Sequence, residues 1–503
     1  MSNSALAALA ERAFKWSAAT TLARFTLQLG AQVALARLLG PENFGVYGIG
    51  MVVMTFVGFL SGSSFSWNLL LQPTITPEDI RFSFTWQLIV GLLAAAAMFA
   101  GAPALAGFFA EPGVESMVQW LALATLLSAA AAPSGYLLQR DMNCRAIGLI
   151  GLVSYAAGYL AVGVPMALQG FGAMSLAAAC IVQAGVGLAL TFAARPHSLR
   201  PLIVHSGGAA ALRTGRAVFF TNVVNWLLAN LDRVMIGRML NAQAVGLYTV
   251  AYNLASIPNV LLLGTLQPAF MATGAKLQHD LQRLGQAWFL GIACILVLAT
   301  PLAVVGALLS ADLVALLYGP AWADSAWVLA ALLLCLPAWS CWGMSTPVLW
   351  NTGRKHLEAL LQAPVLLAAV PAWWFFAPAG IRAVAMVSVG VLVVRSAVII
   401  GAAVRALDLR GSVLVPPLLR GLGLAAIGGA AVRLGQYAAS GLNFPGAGLF
   451  AGATAALLAL LLLVALRPSV LGDQANSALV KLLPVLAQRH GPAPAAAAGG
   501  GYP

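Results

Sequence analysis

Hydrophobic residues make up 61% of this 503-residue chain and charged residues only 8%, against roughly 25% charged in an ordinary soluble protein. That excludes a soluble globular enzyme or binding domain and defines an integral membrane protein. The net charge of +12 does not call for a nucleic-acid partner, because the basic residues are spread over short connections between apolar segments, as the positive-inside rule requires.

Taken in chain order, apolar windows of bilayer-spanning length predict about fourteen transmembrane helices. Their approximate limits are 16–39, 44–71, 84–109, 114–138, 146–168, 172–194, 217–240, 244–272, 286–309, 325–350, 357–377, 380–404, 417–437 and 446–466. Alternation of the β-barrel kind is absent, so the fold class is an all-α polytopic membrane protein. The abundance of Gly and Ala suits helices that approach closely in lipid. The five cysteines have no metal-ligand spacing, and the five histidines fall in connections or in the tail. No metal, cofactor or histidine proton relay is expected.

A motif occurs twice, at Arg37 to Ile49 (RLLGPENFGVYGI) and at Arg238 to Val250 (RMLNAQAVGLYTV). Both copies join one apolar segment to the next, and their spacing of about 200 residues points to repeated halves of a membrane protein. An even number of predicted spans separates the copies, so the halves run parallel. The expected organisation is a cytoplasmic N-terminus (1–15), an N-lobe of six helices (16–194), a basic cytoplasmic linker (195–216), a C-lobe of six helices (217–404), two further helices (405–466) and a cytoplasmic, partly disordered tail (467–503). Most Lys and Arg residues gather on one side under this topology, including Arg195, Arg200, Arg213, Arg216, Arg354, Lys355, Arg405 and Arg410. Both termini are therefore expected in the cytoplasm. The basic linker has two readings, a simple connection or an amphipathic segment touching anionic lipid.

A charge at the centre of a membrane helix costs about 2.5 to 3.5 kcal/mol on insertion scales, so Arg24, Arg233 and Arg395 are candidates for a wet cavity. On the first span Thr20, Arg24, Gln28 and Gln32 form one polar stripe; Thr221, Asn222, Asn225 and Asp232 form another on the seventh span, bordered by Arg233. Equivalent in the two repeats, these stripes are expected to line one cavity from opposite lobes. Guanidinium groups suit phosphate, while Asn and Gln suit sugar hydroxyls. Substrate-binding candidates are thus Arg24, Gln28, Gln32, Asn222, Asn225, Arg233 and Arg395. Asp232, the one acid placed firmly within a span, is the candidate coupling residue. Trp67, Trp86, Trp226 and Trp342 are either sugar-stacking faces or members of an interfacial belt. Arg37 and Arg238 end their helices and read as interfacial anchors.

Several strings in order, ALARLLGPENFGVYGI, YLLQRDMNCRAI, LDRVMIGRML, LLYGPAW and NTGRKHLEALL, resemble Wzx-type polysaccharide flippases, nearest the WzxC-like branch. That group shares a superfamily with the MATE exporters and the lipid II flippases. The resemblance covers roughly residues 12 to 466. It implies a bacterial inner-membrane protein that flips polyprenyl-pyrophosphate-linked oligosaccharide repeat units to the outer leaflet, by alternating access, for exopolysaccharide or O-antigen synthesis. A polysaccharide polymerase and export machinery are the partners it implies. Three rivals remain: a MATE-like exporter of organic cations, which wants an acidic cavity; a membrane glycan polymerase or ligase, which wants a large outer loop; and a scaffold of the assembly complex.

Overall fold

The computed structural model describes residues 3–61, 66, 69, 72, 74–205, 208–442 and 444–467; within its helices the side chains of 3–19, 21, 59–61, 208–222, 265, 269 and 272 lie outside the description. The expected tail falls beyond these residues. The described secondary structure is helical throughout. Ten helices among the described residues are long and apolar enough to cross a membrane, or eleven if one bent pair is a single span.

Helix α1 (Asn3–Ser61) is two arms joined at Gly40, whose φ of 73° breaks the helical run. Pro41 follows, and it cannot donate the hydrogen bond that would continue the first arm. The helix starts at Asn3, so the expected N-terminal extension 1–15 is largely helical. Next come α2 (Pro77–Phe109), α3 (Gly113–Arg140), α4 (Cys144–Leu168) and α5 (Met174–Ala194). A capping box starts α2, the Thr76 hydroxyl accepting from the Asp79 N–H while the Asp79 carboxylate accepts from the Thr76 N–H, which satisfies two otherwise orphaned donors.

The middle of α4 is a π-helix, Ala156–Gly163. Pro165 stands just beyond it, lacking the N–H that an α-helix would use four residues back, and the wider turn absorbs the mismatch. Such segments mark functional sites.

Then follow α6 (Gly208–Met239), α7 (Ala242–Lys276), α8 (Leu281–Leu317), the bent pair α9 (Ala323–Leu334) and α10 (Leu336–Asn351), α11 (His356–Phe376), α12 (Ile381–Ala406), α13 (Val415–Ala438) and α14 (Ala447–Leu466). Because α6 begins at Gly208, Arg213 and Arg216 lie on that helix and not in the linker where the sequence reading puts them. The described linker is the extended stretch from Arg195 to His205. It is strapped along the start of α2: Arg81 donates to the Arg200 and Pro201 carbonyls, Trp86 Nε1 to the Ile203 carbonyl, and the Leu202 N–H to Thr85. His197 sits between the Phe84 and Phe192 rings, and burial there pushes its imidazole pKa below the usual histidine value.

The chain divides into two compact units. One comprises Met1–Leu254, Val314–Leu329 and Glu358–Val391; the other comprises Ala255–Leu313, Ala330–Leu357 and Leu392–Pro503. In the second unit, Leu309, Val432 and Ala456 pack α8, α13 and α14 together. Gln436 donates to the Asp312 carboxylate at 2.8 Å, pairing a charge on α8 that would otherwise be costly there. In the first unit, Gly91 of α2 packs on the Ala129 methyl of α3, and Gly163 brings the π-helical stretch to within contact of Ala179 on α5.

Candidate functional site

A cavity of ≈ 290 Å³ lies wholly within the first unit, bounded by both arms of α1, the π-helical part of α4, α6 and α7. Gln32 of α1 and Arg233 of α6 both line it. The register that aligns Arg37 with Arg238 in the two motif copies also aligns these two. Gln32 Nε2, Arg233 Nε and Thr249 Oγ1 are buried and make no protein hydrogen bond. Buried polar groups are nearly always partnered; three such atoms around one cavity mark a place where a polar ligand completes the set.

The Arg233 guanidinium is held on two sides. Nη1 donates to Asn230 Oδ1 at 3.1 Å, and its carbon lies 4.2 Å from the centroid of the Tyr252 ring. Its neighbour Asp232 does not pair with the guanidinium: Oδ1 accepts from the Arg233 N–H at 2.8 Å and Oδ2 from the Tyr248 hydroxyl at 2.5 Å. Asp232 is 3% exposed and is thus locked behind the cavity wall. Tyr248 is the tyrosine of the second motif copy, and its counterpart Tyr47 lines the cavity with its hydroxyl 2.7 Å from that of Tyr159. Tyr155 stacks on Tyr159 with centroids 4.4 Å apart and planes within 16°.

The remaining sequence candidates are dispersed. Arg24 is exposed on α1, its guanidinium against Gly151 and in electrostatic range of Tyr155, so it stands next to a residue of the cavity wall. Gln28 is half-buried on the same arm, outside the cavity lining. Asn225 donates to Glu358 Oε1 at 2.9 Å; this buried carboxylate on the first turn of α11 is a second embedded acid, which the focus on Asp232 missed. The side chain of Asn222 lies outside the described residues. Arg395 belongs to the second unit, where it is 5% exposed with its guanidinium 3.9 Å over the Trp342 ring; it does not line the cavity.

The two arginines expected as anchors have defined contacts. Arg37 donates through Nε to the Leu317 carbonyl at 2.6 Å and through Nη2 to the Leu316 carbonyl, so it caps the C-terminus of α8. Arg238 stacks 5.4 Å over Phe108. Nor are the tryptophans the aromatic wall: Trp86 holds the linker, Trp226 packs on Phe56, and Trp67 lies outside the described residues. Tyrosines take that place: Tyr155 and Tyr159, four residues apart on one face of α4, both line the cavity.

The fold is that of a polytopic helical membrane protein, and solved proteins share it. A solved lipid II flippase, MurJ in an inward closed conformation, superposes with a TM-score of 0.73 over 90% of this chain and 98% of that one, at 13% identity. An inward-facing MATE multidrug transporter gives 0.61 over 76% of this chain and 94% of that one, at 15% identity. Residues 34–327 match the family described as polysaccharide biosynthesis protein, and the chain belongs to that family. Curated relatives include the succinoglycan biosynthesis transport protein ExoT of Rhizobium meliloti (strain 1021), 28% identical over 74% of this chain and 71% of that protein. The lipopolysaccharide biosynthesis protein WzxC of Escherichia coli (strain K12) is 24% identical over 61% of this chain and 63% of its own length.

Proposed function

We propose that this transporter carries a polyprenyl-pyrophosphate-linked oligosaccharide repeat unit from the inner to the outer leaflet of a bacterial inner membrane, for exopolysaccharide or O-antigen synthesis. The observation that carries this reading is the cavity's chemistry. Among the described residues Arg233 is the one charged residue in its lining, two of the unpartnered atoms are nitrogen donors and the third is a hydroxyl. Such a wall suits an anionic, hydroxyl-rich solute and not an organic cation, for which carboxylates would be needed. Family membership and the likeness to a lipid II flippase support the same substrate class.

In this reading the pyrophosphate pairs with Arg24, exposed beside Tyr155, and the attached sugar enters the cavity past that ring. Gln28, Asn222 and Asn225 are further substrate contacts in the same unit, and Arg395 is a separate candidate contact in the other. The chain spans the membrane fourteen times as two parallel six-helix lobes plus two helices, both termini cytoplasmic, and hands its product to a polymerase and export machinery. An inside-negative potential favours outward movement of an anion by about 2.3 kcal/mol per charge per 100 mV, so coupling through Asp232 adds to a drive already present. Deleting the gene tests the reading: lipid-linked oligosaccharide should accumulate on the cytoplasmic side and reach the outer leaflet again on complementation. Undiminished arrival at the outer leaflet in the deletion strain would refute it.

A further inference from the structure

The cavity has features that transport of a pyrophosphate-linked lipid does not by itself require. We propose that it is a subsite for a single sugar ring bearing a carboxylate, a residue of the uronic-acid class; this rests on the transport reading above and names one part of its cargo.

Size comes first. A cavity of ≈ 290 Å³ lies at the lower end of the roughly 300–1,000 Å³ of small-molecule sites, room enough for one hexose ring with its substituents.

Charge comes second. One guanidinium faces the cavity, and part of it is already engaged, since Nη1 is held by Asn230 and the face by Tyr252. The buried donors left without a partner are Nε and, from the aligned position of the first motif copy, Gln32 Nε2. A carboxylate is a planar, acceptor-only group with one charge, and two nitrogen donors beside one positive charge match it. A pyrophosphate with about two charges would leave roughly one uncompensated here, at a high cost in a low-dielectric site.

Shape is the third argument. The stacked pair Tyr155 and Tyr159 offers a flat π-face, and the hydroxyl contact to Tyr47 fixes its tilt. A bare phosphate gains nothing from such a face, whereas the C–H side of a pyranose lies against it. Thr249 Oγ1 is left to pair with a ring hydroxyl.

Purified full-length protein in lipid nanodiscs, examined by saturation-transfer NMR, tests this with three probes: methyl β-glucuronide, methyl β-glucoside and inorganic pyrophosphate. The glucuronide should bind about tenfold or more tightly than the glucoside, as expected for a charge-assisted pair, and pyrophosphate should not displace it. Arg233→Gln should erase that preference. Gln32→Glu, which keeps the side chain's size but repels a carboxylate, should abolish glucuronide binding while glucoside binding persists; persistence of the neutral sugar shows that the variant is folded. Equal affinity for the two sugars, displacement by pyrophosphate, or an unchanged preference in Arg233→Gln would overturn the subsite. The deletion experiment reads the transport proposal separately. Continued export in the deletion strain with glucuronide binding intact would sink transport alone, and loss of export with no sugar preference would sink the subsite alone.

Discussion

Gly45 and Gly246, the glycines of the two motif copies, each press on the helix that carries the other. A Cβ added to Gly45 would overlap the Ala242 carbonyl oxygen and lie 3.0 Å from the Gly246 nitrogen; one added to Gly246 would overlap the Pro41 carbonyl oxygen and lie 3.1 Å from the Gly45 nitrogen. Pro41 and Ala242 are themselves equivalent in the repeat, so the contact is reciprocal. Gly-x-Tyr thus brings two backbones together and sets Tyr47 and Tyr248 on either side of the crossing.

Gly45→Ala and Gly246→Ala should each destabilise the protein by about 1 to 3 kcal/mol, the range for overpacking a tight contact, with lower melting temperatures in detergent. Gly101→Ala, whose added methyl meets nothing within 4 Å, serves as the comparison and should be neutral or slightly stabilising. Equal melting temperatures for Gly45→Ala and Gly101→Ala would show that the crossing tolerates a side chain.

Arg37→Ala leaves the last carbonyls of α8 without their charged donor and should cost about 1.5 to 3 kcal/mol. Arg238→Ala removes a cation–π contact at longer range and should cost about 0.5 to 1 kcal/mol. Thermal unfolding of the two variants side by side checks the asymmetry; a larger loss for Arg238→Ala would contradict the capping role of Arg37.

If Arg24 pairs with the pyrophosphate, Arg24→Ala should abolish polysaccharide export while membrane insertion and melting temperature stay near those of the parent, because the side chain is exposed. Export at the parental rate would remove Arg24 from the substrate path.

Asp232→Asn keeps the side chain's shape but takes away the charge that the Tyr248 hydroxyl and the Arg233 N–H serve. If Asp232 couples transport to protons, uptake of lipid-linked substrate into inverted vesicles should lose its dependence on a pH gradient in this variant, while the response to membrane potential remains. A gradient dependence equal to the parent's would rule out Asp232 as the coupling group.

The strapped linker should be released by Arg81→Ala, seen as faster proteolysis between Arg195 and His205. Acid should act in the same direction through His197. Its folded pKa lies below the unfolded value of about 6.5, so its contribution to docking is complete above that pH and is lost as the pH falls through the lowered folded value. His197→Phe should flatten this part of the pH profile; an unchanged profile would place the acid sensitivity elsewhere.

Helix positions were legible in the sequence because apolar length is a property of the chain itself: Leu449 to Leu466 crosses oil whatever it packs against. Arg233 and Gln32 were legible as candidates for the same reason, since polar groups in apolar segments are costly wherever they stand. The wall of tyrosines was not. Nothing in the sequence singled out Tyr155 and Tyr159 within their span as a cavity wall, and Glu358, at the start of a predicted span, gave no sign of the Asn225 that reaches it.

What the sequence alone determined, then, is the solvent this protein lives in, its all-helical class, the repeated junction and the inventory of charges it carries into the membrane. Only tertiary structure decided which polar face meets a cavity. Arg395 and Arg233 are alike in sequence terms, yet one is buried over Trp342 and the other lines a cavity. The reason is rotational: a helix in lipid satisfies its own backbone at any rotation about its axis, so the direction of each side chain is set by close contacts such as Gly45 on Ala242, which exist only once the helices have met.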